Sequence, residues 1–199
     1  MILFFDTETT GLPRNWKAPI QELDNWPRLV QIAWILFDDV GKKLYSKEYI
    51  IKPDHFVIPI EASKVHKITT ELALLKGQKL LEILIEFNLD IDKADILVAH
   101  NINFDLKIIG AEMLRAELET KLFSKRKICT MESSTNYCKI PGPYGFKWPR
   151  LDELYFKLFG GSFQEAHNAS IDINATAKCY WRLKELGLIQ LSCPEIGLQ

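Results

Sequence analysis

A chain of 199 residues with 47% hydrophobic content is long enough to bury one sizeable core and short for two domains. Its formal net charge of -1 excludes the strongly basic field of a protein that grips nucleic acid nonspecifically by charge alone. The apolar start is interrupted by Asp6 with no basic segment before it, which argues against a signal peptide or membrane span and predicts a cytoplasmic protein. Cys129, Cys138, Cys179 and Cys193 lack zinc-ligand spacing and read as reduced, partly buried thiols.

The first predicted strand, residues 2 to 5, runs straight into Asp6-Thr7-Glu8-Thr9-Thr10-Gly11-Leu12. On an extended strand residues i and i+2 share a face, so Asp6 and Glu8 can converge on one hard cation such as Mg2+. Gly11 then lets the chain turn away tightly. A bare Asp-x-Glu usually marks a solvated strand end; the longer string behind a buried strand points to a metal site. Residues 13 to 27, with Trp16 and Trp26, follow directly and are expected beside the cleft. Apolar runs at 29 to 37 and 44 to 51 predict two more strands with Gly41 in the turn, a meander opening.

Helical periodicity follows at 78 to 88, with Leu80, Leu81, Leu84 and Phe87 on one face. The strand 96 to 99 leads into His100-Asn101-Ile102-Asn103-Phe104-Asp105 and a helix over 104 to 119, with Asn103 as its N-cap. A strand at 127 to 131 and helices near 150 to 159 and 169 to 186 complete the pattern. Between them, residues 139 to 150 mix aromatics, basic residues, glycine and proline. That mixture suits base stacking with phosphate contact, but it also suits a stiff loop in which Trp148 packs on the following helix. Packing is the reading taken for Trp148; Tyr144 and Phe146 stay open. The last segment, His167-Asn168-Ala169-Ser170-Ile171-Asp172, sets a histidine five residues before a fourth carboxylate. Alone, Asp105 and Asp172 would each read as acids placed favourably at a helix start.

Asp6, Glu8, Asp105 and Asp172, with His167, resemble the DEDD exonucleases in their histidine branch, DEDDh, to which the epsilon proofreading subunit of bacterial DNA polymerase III belongs. The sister branch has tyrosine four residues before the last aspartate, where this chain has Asn168. The resemblance extends to Leu29-Val30-Gln31-Ile32-Ala33, to Val65-His66-Lys67-Ile68-Thr69 and to Leu151-Asp152-Glu153-Leu154. Lys67 replaces a common glycine, and Ile173 stands where alanine is frequent.

Three strands followed by alternating helices and strands predict an α/β protein, a mixed five-stranded sheet with helices on both faces. The resemblance sharpens this to a ribonuclease H-like fold, an exonuclease domain over 1–187 and a short tail at 188–199. It implies two divalent cations, Mg2+ or Mn2+, held by Asp6, Glu8, Asp105 and Asp172, with His167 as general base. Thr9, Leu12, His66 and Asn101 are the implied substrate contacts, while His100 can merely cap or pack its strand end. The implied partner is a single-stranded 3′ end, DNA in preference to RNA; the tail is too short for a polymerase-binding extension, and a clamp peptide there is not supported. An exoribonuclease and a non-cleaving nucleic-acid or polymerase-binding module are the alternatives.

Overall fold

The computed structural model describes residues 1–163 and 168–189. Five strands form the central sheet: β1 (Ile2–Thr9), β2 (Leu29–Phe37), β3 (Lys43–Ile50), β4 (Ile96–Ala99) and β5 (Arg126–Cys129), in the order β3-β2-β1-β4-β5. β2 is antiparallel to β1 and β3, whereas β4 is parallel to β1 and β5. β2 is buried along its whole length and β1 nearly so, as continuous apolar runs require when both faces are covered. β3, at the edge, alternates in exposure.

Two layers of helix provide the cover. α7 (Ala169–Glu185) lies on one face, where the Phe4 ring meets Tyr180 edge-on with centroids 5.1 Å apart. On the opposite face Phe5 meets Phe87 of α3 (Leu80–Lys93) at 5.6 Å, and α4 (Ile102–Arg115) runs beside it. Successive residues of β1 therefore address different helices, which places Asp6 and Glu8 on the α7 side with Phe4.

A polar pin fastens α3 to the edge of the sheet. Asp90, buried, accepts from Trp34 Nε1 at 2.8 Å, Tyr45 Oη at 2.6 Å, Lys93 Nζ at 2.7 Å and Lys47 Nζ at 3.1 Å. Burial by itself would raise its pKa, but these donors overcome it and hold the carboxyl at about 2.

Several boundaries differ from expectation. The helix predicted from 104 begins at Ile102, and its N-cap is Asn101 in the left-handed region at φ 68°, not Asn103. The strand predicted to 131 stops at Cys129, because the chain enters α5 (Thr130–Cys138) at once. On α3, Ile83, Leu84, Phe87 and Ile91 are buried while Leu81 faces outward with Ile85 and Leu89. That helix is apolar nearly all round, so periodicity alone could not select the stripe that meets the sheet. α1 (Ile60–His66) and α2 (Thr70–Lys76) have seven residues each, too short to announce a period, whereas α6 (Leu151–Phe159) stands where it was expected. Residues 13 to 27, with one 3-10 turn at Leu23–Asn25, fold onto α4: Trp16 packs 5.7 Å from Phe104, and Arg115 Nη2 donates to the carbonyls of Leu23 and Trp26. Cys129, Cys138 and Cys179 are buried free thiols.

Candidate active site

The carboxyl end of β1 and the start of α7 build the site. Asn168 caps α7, its side-chain oxygen accepting from the amides of Ser170 at 3.0 Å and Ile171 at 3.3 Å. Gln31 Oε1 accepts from the next free amide, Ala169, at 3.2 Å. Gln31 sits opposite Glu8 in the β1–β2 ladder, so this side chain ties the start of α7 to the strand that carries the acids. Asp172, one turn into the helix, is thereby held over the sheet. Carboxylate oxygens of Asp6, Glu8 and Asp172 lie within 4.8 Å of one another.

Such a group is electrostatically costly unless something positive joins it. Burial, then the charges of Asp105, Asp172 and Glu8, raises Asp6 well above the ordinary carboxylate range. Burial followed by Asp172 and Asp105 pushes Glu8 up to about 8. Asp105 rises to about 7 through burial, against the pull of the hydrogen bond that Thr7 Oγ1 donates to its Oδ1 at 2.7 Å. Protons can relieve this repulsion, and so can cations. An all-oxygen, carboxylate-only cluster fits hard divalent ions far better than soft ones.

The structure brings three of the four expected ligands together directly. Asp105, buried on α4, approaches from the other face of β1 and uses one oxygen on Thr7, so it stands beside the cluster. His167 lies outside the described residues. Thr9 and His66 are buried neighbours: burial lowers the His66 pKa, the Thr9 backbone partly offsets this, and His66 Nδ1 accepts from Ile68 N at 3.1 Å. Leu12 is 72% exposed, just beyond Gly11 at φ 148°, a backbone conformation that favours glycine. Asn101 lines the cleft with Asp6 and Asp172. His100 is a strut, its Nδ1 3.0 Å from Thr130 Oγ1 and its Nε2 3.0 Å from the Pro149 carbonyl, and burial takes its pKa down to about 4.

That cleft has a volume of about 480 Å3, and its far wall includes Trp148, Arg150 and Phe163. Trp148, expected to pack on α6, is 64% exposed and lines this cleft beside Leu151 and Asp152 at the start of that helix. Sequence reasoning also passed over Thr7 and Gln31 as supports. Gln31 did carry a signal, a lone amide inside an otherwise apolar strand.

Comparison with known proteins places this geometry. A family model described as Exonuclease, RNase_T, matches residues 3–180. The DNA polymerase III subunit epsilon of Treponema pallidum (strain Nichols) is 38% identical over 109 residues, covering 55% of this chain and 44% of that protein. The PolC-type DNA polymerase III of Listeria innocua is 26% identical over 179 residues, 90% of this chain but 11% of the polymerase. The chain thus spans less than half the length of these curated relatives. E. coli exonuclease I in complex with a dA16 oligonucleotide superposes with a TM-score of 0.71 at 19% identity, over 92% of this chain and 40% of that one. A product-bound exonuclease I gives 0.72 at 18% identity, over 94% and 44%. No described helix is long and apolar enough to cross a membrane. With a family match running through every strand of the sheet and a fold shared with exonuclease I, the chain belongs to the RNase_T exonuclease family and has the ribonuclease H-like fold.

Proposed function

We propose that this chain is a DEDDh-type 3′-to-5′ exonuclease that hydrolyses phosphodiester bonds at single-stranded DNA ends and releases nucleoside 5′-monophosphates. The observation that carries the reading is the convergence of Asp6, Glu8 and Asp172 within 4.8 Å, with buried Asp105 beside them. A purely structural role would leave like charges crowded for no gain. Divalent cations, Mg2+ or Mn2+, would supply activation of the attacking water and neutralise charge on the leaving oxygen. Asp6, Glu8 and Asp172 would hold these cations, Glu8 and Asp172 on the side of the attacking water, with Asp105 in support.

His167 is assigned as the general base that takes the water proton, since a histidine is largely neutral at working pH. Asn168, at the position of the sister branch's tyrosine, is occupied as a helix cap, which supports the histidine branch. Thr9, Leu12 and His66 would surround the terminal nucleotide, with Asn101 across the cleft. Solved exonuclease I complexes with dA16 and dT13 oligonucleotides, and relatives named as DNA polymerases, support DNA as substrate. We assign the exonuclease unit to residues 1–187 and a short tail to 188–199, although Ile189 still packs onto the core.

The test uses one single-stranded oligonucleotide labelled at either end. With Mg2+ or Mn2+, the 3′ label should leave at once as mononucleotide while the 5′ label passes through a ladder of shortening products, and chelator should stop both. Binding without cleavage at any metal concentration would convert the reading to a non-cleaving module.

A further inference from the structure

Residues 141 to 148 do what the packing expectation did not foresee. Two-residue arms, β6 (Pro141–Gly142) and β7 (Gly145–Phe146), close a small hairpin, held further by the Lys147 amide donating to the Ile140 carbonyl at 2.9 Å. Tyr144 at its tip is fully exposed, Phe146 is 49% exposed and Trp148 64%. Lys147, between the last two, is turned the other way, its Nζ 2.7 Å from Glu153 Oε1 on α6. Lys147 is thus tied to α6, while Phe146 and Trp148 on either side of it stay exposed, Trp148 lining the cleft together with Leu151 and Asp152 at the start of α6. Leaving two large aromatics in water is unfavourable for a folded monomer unless they meet something.

What they meet is indicated by position. Trp148 shares the cleft with Asp6 and Asp172, and Phe163 lies on the same wall. The neighbouring cations are already engaged: Arg150 pairs with Asp152 at 2.9 Å and Lys147 with Glu153. This wall therefore offers apolar faces rather than free positive charge, a surface for bases more than for phosphates. Thr9 and His66 lie together at the end of β1, and neither lines the cleft that holds Trp148 and Phe163.

We propose that Trp148, with Phe146 further out, forms a stacking platform for the unpaired bases on the 5′ side of the scissile phosphate, making these residues substrate contacts. The inference rests on the exonuclease reading of the carboxylate site. The hairpin would also favour single strands, because the faces of a base inside a duplex are covered by its stacked neighbours, whereas a flexible single strand can splay a base onto Trp148. A face built of rings rather than hydrogen-bonding groups reads no particular base.

The experiment combines substitution with removal of bases. Wild type, W148A, W148F and F146A are assayed on single-stranded oligonucleotides whose second and third residues from the 3′ end are either normal or abasic, and on the methyl ester of thymidine 5′-monophosphate, which carries neither a base nor a ring on that side and whose hydrolysis is read as thymidine 5′-monophosphate released. W148A should lower kcat/KM for the normal oligonucleotide by roughly 5- to 100-fold, chiefly through KM, W148F should recover most of it, and F146A should show a smaller loss. Abasic residues should impose a similar loss on wild type and little further loss on W148A. If abasic residues cost wild type and W148A equally, or if W148A slows the ester as much as the oligonucleotide, stacking is overturned and Trp148 only shapes the site. If wild type with metal turns over neither the ester nor the oligonucleotide, the exonuclease reading itself has failed, an outcome distinct from either.

Discussion

The carboxylates carry proton chemistry that can be tested without substrate. Glu8, at about 8, holds its proton in the metal-free native protein near neutrality and loses it on unfolding, and Asp6 and Asp105 are raised in the same direction. Where the native state binds more protons than the unfolded state, stability falls as pH rises. His100 opposes this at lower pH: its folded pKa of about 4 makes stability rise until the unfolded histidine has titrated, at about 6.5. The clear window is therefore about pH 6.5 to 8, where metal-free protein in chelator should show a falling Tm, and saturating Mg2+ should flatten or reverse the slope. A Tm that rises across that window without metal would contradict the raised acids. At the acid end Asp90, held at about 2, contributes stability that is present above the ordinary aspartate pKa of about 3.9 and lost as pH falls towards 2.

Two substitutions divide the chemistry between its proposed agents. His167→Ala should remove roughly 10² to 10⁴ of the rate while leaving metal binding nearly intact, and should abolish the rise in rate as pH passes upward through the histidine's pKa. Asp6→Ala should weaken metal binding itself, leaving no activity even at high pH. Calorimetric metal titration beside nuclease kinetics separates them; His167→Ala with near-normal turnover and an unchanged pH profile would remove the histidine from the mechanism.

At the scale of elements, the loop beyond β1 depends on one acid. Glu112 of α4 is fully buried, and its Oε1 accepts from Arg28 Nε and Leu29 N at 2.9 Å each and pairs with Arg115 Nη1 at 3.1 Å. Removing that acid takes the partner from Arg28 Nε, the buried Leu29 amide and Arg115 Nη1 at once, so Glu112→Ala should destabilise by about 3 kcal/mol in urea titration. A smaller opposite effect is expected at Lys67, the C-cap of α1, which sits at φ 63° where a β-carbon is strained. This is why glycine is common there in the family, and Lys67→Gly should stabilise by roughly 0.5–1 kcal/mol. No gain in Tm would mean that the lysine stem has compensating contacts.

For the molecule as a whole, if the exonuclease reading holds, an acidic cleft beside an aromatic hairpin would make strand separation the main selection step. Single-stranded DNA should be degraded faster than a blunt duplex of the same sequence, because the terminal pair must open before the end can reach the acids, at a cost of a few kcal/mol. DNA should also be degraded faster than RNA of matched sequence, as the proofreading-type wording of Asp6 to Gly11 implies. Equal or faster loss of RNA in a side-by-side assay would favour the exoribonuclease alternative.

Local rules sufficed for the succession of strands along the chain, the Asp6/Glu8 pair, the turn at Gly11 and the helix that carries Asp172, because strand alternation, glycine conformation and helix starts are written within a few neighbouring residues; Asp105 and Asp172 stood out only through the resemblance to a family. Local rules failed where neighbours are remote. Which apolar stripe of α3 meets the sheet is decided by Phe5 and Trp34, far away in sequence. The roles of Thr7 and Gln31 exist only because α4 and α7 bring Asp105 and Ala169 against them from opposite faces. Trp148 looked like a packing residue because tryptophan usually buries its large apolar area. Its exposure is a tertiary fact: the ring lines the cleft of Asp6 and Asp172, where the start of α6 leaves most of it uncovered.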